Sequence, residues 1–287
     1  MNHRKLALLT QTYDKTVEFL LNNNYIANSK FCLECDNKEM KIVKNDSVKS
    51  WQCSRCTKKI SLLQNTILSN CNKPLNEIID IIYFWSLDLT QNKTMIEANT
   101  CSIDTVNKWY KKLSIQAYHI MKSIKRNKIG GIGHVVEVDE SKFSKRKYNV
   151  GRQVRSPWII GGVDIMTSDV FFVEVFFRNQ ETIQNVLLEN VEVGTTIITD
   201  CWTGYISLNE LGFLHLTVNH SENFIDPLTG ANTQAIENRW SVYKRKMRSR
   251  FINSSSDISL MFSEFMLKTR FKNDSFGVLM SNLTKFD

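Results

Sequence analysis

The sequence lacks any uninterrupted apolar run approaching the roughly 20 residues that a membrane-spanning helix needs. It also lacks the apolar segment and cleavage site that would follow the N-terminal charges in a secretory signal. These absences predict an intracellular protein without a membrane partner, nuclear in a eukaryotic host and otherwise cytoplasmic. Internal repeats and low-complexity tracts are absent as well, which excludes repeat and disordered architectures.

Cysteine is scarce, with seven residues in 287, too few for a disulfide scaffold of this length. An odd number in a reducing compartment favours metal ligation by those that occur in pairs. The composition, 42% hydrophobic and 23% charged, is that of a folded globular protein. Lys and Arg number 37 against 29 Asp and Glu, and the resulting charge of +8 favours a polyanionic partner. Charge alone does not separate DNA from RNA or a membrane.

Two cysteine pairs lie near the start of the chain, in the spacing Cys-x2-Cys-x17-Cys-x2-Cys, and β-like segments separate them. Two close pairs are what tetrahedral Zn²⁺ requires, and four thiolates leave no open coordination position for catalysis. The pattern therefore predicts a structural zinc ribbon. Nearby lysines either contact a phosphate backbone or are merely solvated. The predicted zinc ligands are Cys32, Cys35, Cys53 and Cys56, and the lysines are Lys38, Lys41, Lys44, Lys58 and Lys59.

Helical periodicity begins after Pro74 and predicts helices at 75–88, at 93–98 and from Ser102 to about 115. Three helices with a tight central turn are typical of a helix-turn-helix module. In that case Lys108 and Lys111 on the third helix would reach DNA. The alternative is a small helical bundle whose charged face is only solvated.

A Lys-rich segment that ends in glycines, residues 122–133, predicts the main domain boundary. We expect the N-terminal helix and zinc ribbon at 1–65, the helix-turn-helix-like module at 66–128 and the catalytic domain with C-terminal helices at 129–287. The last segment alternates β-rich and helical patterns, which predicts an α/β, ribonuclease H-like architecture. Its predicted strands are 135–139, 158–163, 170–177, 195–199 and 215–218, and its predicted helices are 181–189, 205–211 and 233–250.

Three acidic residues are placed where such a fold would bring them together. Asp139 and Asp200 each follow a run of β-forming residues, and Glu237 lies near the start of the last long helix. Carboxylates are the natural ligands of Mg²⁺, and two such ions (or Mn²⁺) can activate a nucleophile and stabilise the leaving oxygen in phosphodiester cleavage. Taken singly, each acid is more often a cap or an ion-pair member.

Basic residues are concentrated around two of these acids, where they would hold a DNA backbone and offset the acidic potential. A solvated charged face is the alternative, particularly at the end of the helix. Trp202 and Trp240 are predicted to be core anchors rather than base-stacking groups. The basic residues predicted to bind DNA in this segment are Lys142, Lys145, Arg146, Lys147, Arg152, Lys244 and Arg245.

Several strings of the second half resemble the catalytic blocks of Merlin-type DDE transposases and their ISXO-like bacterial insertion-sequence relatives. The first block is VEVDESKF at 136–143 with KRKYN-x-GR at 145–152, and the second is TIITDCW-x-x-Y at 196–205. The third comprises LTVNHS at 216–221, DP-x-TGA at 226–231 and TQ-x-IE-x-x-W at 233–240. The resemblance also covers the cysteine cluster. Asn232 departs from the family, in which histidine precedes the Thr-Gln pair.

This resemblance implies a ribonuclease H-like fold, cut-and-paste transposition and a metal-binding catalytic triad of Asp139, Asp200 and Glu237. The partners would be double-stranded DNA, both element ends and target, and a second copy of the chain, with no small-molecule substrate. Two alternatives remain open. One is a domesticated DNA-binding protein without catalysis, and the other is a ribonuclease H-like nuclease that never joins strands.

Overall fold

A computed structural model describes residues 1–35, 38–45, 48–100, 102–124, 128–143, 158–219, 230–250 and 255–284. The chain divides into two compact units, Met1–Ile120 with Asn273–Asp287, and Met121–Lys272. The three segments predicted from the sequence stay a prediction. Within the described residues, no helix combines the length and the apolar character needed to cross a membrane.

The first unit opens with two short helices and a ribbon of small strands. Thr12 lies between the two helices and caps the second one, since its hydroxyl accepts the backbone N–H of Lys15. Strands β3, β4 and β5 form an antiparallel sheet, and β1 and β2 pair separately. The elements are α1 His3–Leu9, α2 Tyr13–Asn22, β1 Phe31–Cys32, β2 Lys38–Glu39, β3 Lys41–Asn45, β4 Val48–Gln52 and β5 Lys59–Ser61.

Three further helices of this unit, α3 Leu75–Ser86, α4 Gln91–Glu97 and α5 Ile103–Ser123, follow each other with short turns. The buried Tyr110 hydroxyl joins them: it lies 2.6 Å from the Thr94 hydroxyl and donates to the Leu89 carbonyl at 2.8 Å. α4 and α5 therefore have the connectivity of a helix-turn-helix. The last helix, α9 Ser275–Ser281, returns to this unit, where Phe276 meets Tyr83 edge to face at 5.4 Å.

The second unit is an α/β domain. Its elements are β6 Ile129–Gly130, β7 Val135–Lys142, β8 Trp158–Asp164, β9 Val170–Val175, α6 Gln180–Asn190, β10 Val191–Glu192, β11 Thr196–Asp200, 3₁₀ helices at Thr203–Tyr205 and Leu208–Leu211, β12 Leu214–Val218, α7 Gln234–Ser249 and α8 Ser255–Arg270.

Five strands of this unit form one sheet in the order β12-β11-β7-β8-β9. β7, β8 and β9 are antiparallel neighbours, whereas β11 pairs in parallel with both β7 and β12. If these five strands are numbered 1 to 5 along the chain, their order in the sheet, read from β9 to β12, is 3-2-1-4-5. This is the strand order of a ribonuclease H-like domain, and the predicted fold class is confirmed.

Both faces of the sheet are covered by apolar residues. One face packs Val136, Val138 and Ile160 against α6 and the 3₁₀ segment. The other packs Ile159 and Phe172 against α7 and α8. Alternate residues of a strand face opposite sides. The odd-numbered residues of β7, among them Asp139, therefore face α7.

Some predicted element bounds were wrong. The helix predicted at 205–211 is two 3₁₀ turns, because so short a run does not sustain an α-helix without strong packing. α5 runs to Ser123, well past residue 115 and into the predicted linker, because Leu113, Ala117 and Ile120 continue its buried face. β9 ends at Val175 instead of Phe177, since the next two side chains are exposed.

A buried ion cluster fastens α8 to the end of α7. The fully buried Glu264 accepts hydrogen bonds from Arg250 at 2.8 and 3.0 Å and from Lys268 at 2.7 Å. Although burial by itself raises the pKa of this carboxyl, the charges of Lys268 and Arg250 lower it to about 2.

Replacing Glu264 with glutamine should lower the free energy of unfolding by about 3–5 kcal/mol at neutral pH, because two cations lose their buried partner. A depressed carboxyl pKa stabilises the folded state above the unfolded pKa near 4.5, and this contribution is lost as the pH falls towards 2. Urea unfolding of both proteins between pH 7 and pH 2.5 measures the effect. The two stabilities should converge on acidification, whereas exposed Glu189, changed to glutamine, should show no such difference.

Candidate active site and zinc site

The four paired cysteines converge in the ribbon. Their sulfur atoms all lie within 4.8 Å of one another, and the Cys32 and Cys56 sulfurs are 3.6 Å apart. Tetrahedral Zn²⁺ with Zn–S bonds of about 2.3 Å places its sulfur ligands roughly 3.8 Å apart. The observed cluster fits that ion and leaves no fifth ligand position.

The four thiols differ in their acidity. The backbone amides of Cys56 and Arg55 lower the pKa of Cys53 to about 6, since they stabilise the thiolate, whereas the neighbouring Cys56 thiol and burial raise the pKa of Cys35 to about 12. The Arg55 N–H lies 3.4 Å from the Cys53 sulfur. A thiolate is the form that binds zinc.

The lysines of the ribbon differ in their surroundings. Lys44 pairs with Asp14 at 2.6 Å, and Lys58 pairs with Glu34 at 2.5 Å. These two cations already have anionic partners. Lys38, Lys41 and Lys59 are exposed, as are Lys108 and Lys111 on α5.

The sheet register brings two of the three predicted acids together. β7 and β11 pair in parallel with Glu137 opposite Ile198. Two residues further along, on the same face, Asp139 and Asp200 reach the same level on strands about 4.8 Å apart. Both side chains are half-buried, and the backbone N–H of Trp202 donates to Asp200 at 3.0 Å.

Electrostatics indicates that the third acid is close as well. Burial raises the pKa of Asp139, and the negative charges of Asp200 and Glu237 raise it further. Glu237 is exposed in the first turn of α7, and its carboxylate accepts a hydrogen bond from Thr233 at 3.2 Å.

The three acids do not form a closed ligand set. Among the described residues, the only group of three or more His, Cys, Asp or Glu side chains placed to hold an ion is the cysteine cluster. Like charges repel, which opposes a closer approach of the three carboxylates. The donor set suits Mg²⁺ or Mn²⁺ in type, since these ions prefer carboxylate oxygens.

Asn232, the departure from the expected histidine, belongs to the turn that starts α7. Its side-chain oxygen accepts the backbone N–H of Gln234 at 3.2 Å, and its amide lies 3.4 Å from the Gly230 carbonyl. An Asx turn of this kind is a common way to begin a helix.

The basic residues predicted near the acids fall into two groups. Lys244 donates to the Ser141 hydroxyl at 2.5 Å, Lys142 lies 4.5 Å from the Trp158 ring centre, and Arg245 is exposed. The other four, Lys145, Arg146, Lys147 and Arg152, lie outside the described residues.

Two charged residues that were not predicted as site residues lie beside this centre. Glu137, only 3% exposed, accepts the backbone N–H of Ile236 at 3.0 Å. Arg178 lies 3.9 Å from the Trp202 ring centre and 3.4 Å from the Glu140 carboxylate. Glu140 lies on the opposite face of β7 from Asp139. Glu137 and Glu140 both lie in the VEVDE string at 136–140, but nothing in the neighbouring sequence indicates what they contact.

Solved structures with a similar chain path include viral integrases. The HTLV-2 integrase catalytic core domain in complex with magnesium is similar over 48% of this chain and 86% of its own, with 15% identity and a TM-score of 0.33. The simian T-cell lymphotropic virus intasome in complex with PP2A regulatory subunit B56 gamma is similar over 66% and 68%, with 12% identity and a TM-score of 0.34. No curated protein matches the sequence.

A family model matches part of the chain. Residues 132–257 match the ISXO2-like transposase domain. The match spans the part of the chain that contains Asp139, Asp200 and Glu237, and it includes the strings that carry the resemblance. The resemblance is confirmed over this segment, whose match supports a DDE transposase of the insertion-sequence type.

Proposed function

We propose that the protein is a cut-and-paste DNA transposase that cleaves a strand at the end of its element and joins the freed 3′-hydroxyl to target DNA. The observation that carries the proposal is the register of β7 against β11, which brings Asp139 and Asp200 to one level on one face within a transposase-family domain. Glu237 lies in the first turn of α7, the helix that packs on this face.

Asp139, Asp200 and Glu237 would hold two divalent ions, Mg²⁺ or Mn²⁺. Bound there, the ions would promote deprotonation of the attacking water or hydroxyl and stabilise the leaving oxygen. Hydrogen bonds within the protein fix the orientation of two of the carboxylates that would bind the ions. The Trp240 indole donates to Asp139 at 3.0 Å and the Trp202 backbone donates to Asp200 at 3.0 Å, so each carboxylate is oriented before any ion arrives.

DNA would be held by cations on both units. Lys142, Lys244 and Arg245 lie on the elements that carry Asp139 and Glu237, and Lys108 and Lys111 lie on α5. This proposal includes the other basic residues predicted to bind DNA, which are Lys145, Arg146, Lys147 and Arg152. Phosphate contacts by such residues make affinity fall steeply with salt and carry little sequence information.

We also propose that two copies of the chain act together, because the two ends of an element must be cut and joined in one event. The DNA itself would hold the two copies together, with one active centre bound to each element end.

The decisive experiment uses purified full-length protein, labelled DNA that carries the inverted repeats flanking the coding region, Mg²⁺ and a target plasmid. Joined product supports transposition. Nicked ends without joining would instead support a nuclease, and binding without either product would support a domesticated DNA-binding protein.

A further inference from the structure

Three side-chain contacts connect α7 to β7 in regular succession. The Glu137 carboxylate accepts the backbone N–H of Ile236 at 3.0 Å, and the Asp139 carboxylate accepts the Trp240 indole N–H at 3.0 Å. The third contact is the one from Lys244 to Ser141 at 2.5 Å. The contacts advance by four residues on the helix for every two on the strand. We call this series the α7–β7 ladder.

The spacing of the ladder matches the geometry of its two elements. Four helical residues rise about 6.0 Å. Two strand residues rise about 6.6 Å. Because both numberings increase together, α7 runs in the same direction as β7. The helix and the strand therefore stay in step over three contacts.

The first contact of the ladder, from Ile236 to Glu137, fixes the first turn of α7. The N-cap residue Thr233 makes no capping hydrogen bond with its side chain, so the N–H groups beyond that of Gln234, which Asn232 accepts, need another acceptor. The buried Glu137 carboxylate instead lies at the helix N-terminus, where the exposed N–H groups and the dipole favour a negative charge. Glu237 is the next residue after Ile236, so its backbone position is set by this contact.

The middle contact depends on a missing side chain in the neighbouring strand. Gly161 pairs with Asp139 across β7 and β8. A Cβ atom at Gly161 would lie 2.4 Å from the Trp240 ring, so only glycine leaves room for the indole at this position beside Asp139. The Trp240 ring is otherwise held by Phe143 and Phe172, with ring centres at 5.5 and 5.3 Å.

We propose that Glu137 and Trp240 are positioning residues that hold Glu237 and Asp139 in a single register for binding divalent ions. The inference rests on the proposed function. A slip of one contact along the ladder would move Glu237 by about 6 Å, whereas a Mg–O bond measures only about 2.1 Å. Ion binding by all three acids therefore requires this one register.

The test is Mn²⁺ binding to the full-length protein without DNA, measured by electron paramagnetic resonance titration. Trp240→Phe retains an aromatic ring but loses the N–H donor, and Glu137→Ala removes the cap. Each should weaken Mn²⁺ binding by about 10–100-fold, the usual effect of losing a group that orients a ligand. Glu137→Gln keeps an oxygen acceptor for Ile236 and should retain more of the affinity than Glu137→Ala.

A matched control separates positioning from general loss of stability. Phe265→Leu alters the same apolar cluster, in which Phe265 stacks on Tyr243 at 4.1 Å, away from the carboxylates. It should lower the melting temperature yet leave Mn²⁺ affinity within about twofold, well below the loss expected for an orienting group. Equal weakening by Phe265→Leu and Trp240→Phe would overturn the inference.

Failure of the proposed function gives a different result. If the wild-type protein does not bind Mn²⁺, or if Asp139→Asn binds it equally well, the proposed ion site is wrong and the inference fails with it. If the wild type binds and Asp139→Asn does not, unchanged affinity in Trp240→Phe and Glu137→Ala overturns the positioning role alone.

Discussion

Asparagine in place of Asp139 or Asp200 is expected to lower the rate of DNA cleavage about 1,000-fold or more. The substitution keeps the size of each side chain but removes the charge that a divalent cation needs. Such ions supply several kcal/mol of transition-state stabilisation, and each 1.36 kcal/mol corresponds to a tenfold change in rate. Single-turnover cleavage of labelled element ends in Mg²⁺ measures the loss.

DNA affinity should be nearly unchanged in the same variants, because phosphate contacts come from lysine and arginine rather than from these acids. Asp169→Asn provides the control, since Asp169 lies in the turn between β8 and β9 at the other end of the sheet. It should cleave at the wild-type rate. Wild-type cleavage by Asp139→Asn and Asp200→Asn would reject both residues as ion ligands.

Serine in place of Cys35 is expected to abolish zinc binding and unfold the ribbon while the ribonuclease H-like sheet stays folded. Small modules of this kind derive their folding free energy from the metal, with about 10–16 kcal/mol released on binding in zinc-finger peptides. Hydrogen exchange should show loss of protection in β3, β4 and β5. Protection in β7 and β11 should persist, because Val136, Val138 and Ile197 are buried in a separate core.

Cys71 offers a matched thiol for this experiment, since it is half-buried and lies outside the cluster. Cys71→Ser should retain about one zinc ion per chain, the number that a four-cysteine site binds, as measured by atomic emission. A zinc-free Cys35→Ser protein with full protection in the ribbon would show that the cluster has no structural role.

Much of the fold could be predicted from the sequence because its signals are local. The strands β7 and β11 begin with β-branched residues, and the periodic apolar face of α3 marks that helix. The spacing of the cysteine pairs is by itself enough to predict a tetrahedral site. Each of these patterns is complete within a short stretch of chain.

The remaining features depend on contacts between distant residues. Glu137 is buried against Ile236, 99 positions later, and nothing near Glu137 in the sequence indicates that partner. Trp240 was predicted to be a core anchor, and it is buried, but its N–H also contacts Asp139. The return of α9 to the first unit is likewise a long-range packing event, in which Phe276 meets Tyr83.

The central claim is that Asp139, Asp200 and Glu237 share divalent ions, and anomalous diffraction from a crystal grown with Mn²⁺ tests it most directly. We expect two peaks about 3.5–4 Å apart, each within bonding distance of carboxylate oxygens from this trio. Peaks elsewhere, or none while the same crystals show the zinc signal at the four cysteines, would contradict the account.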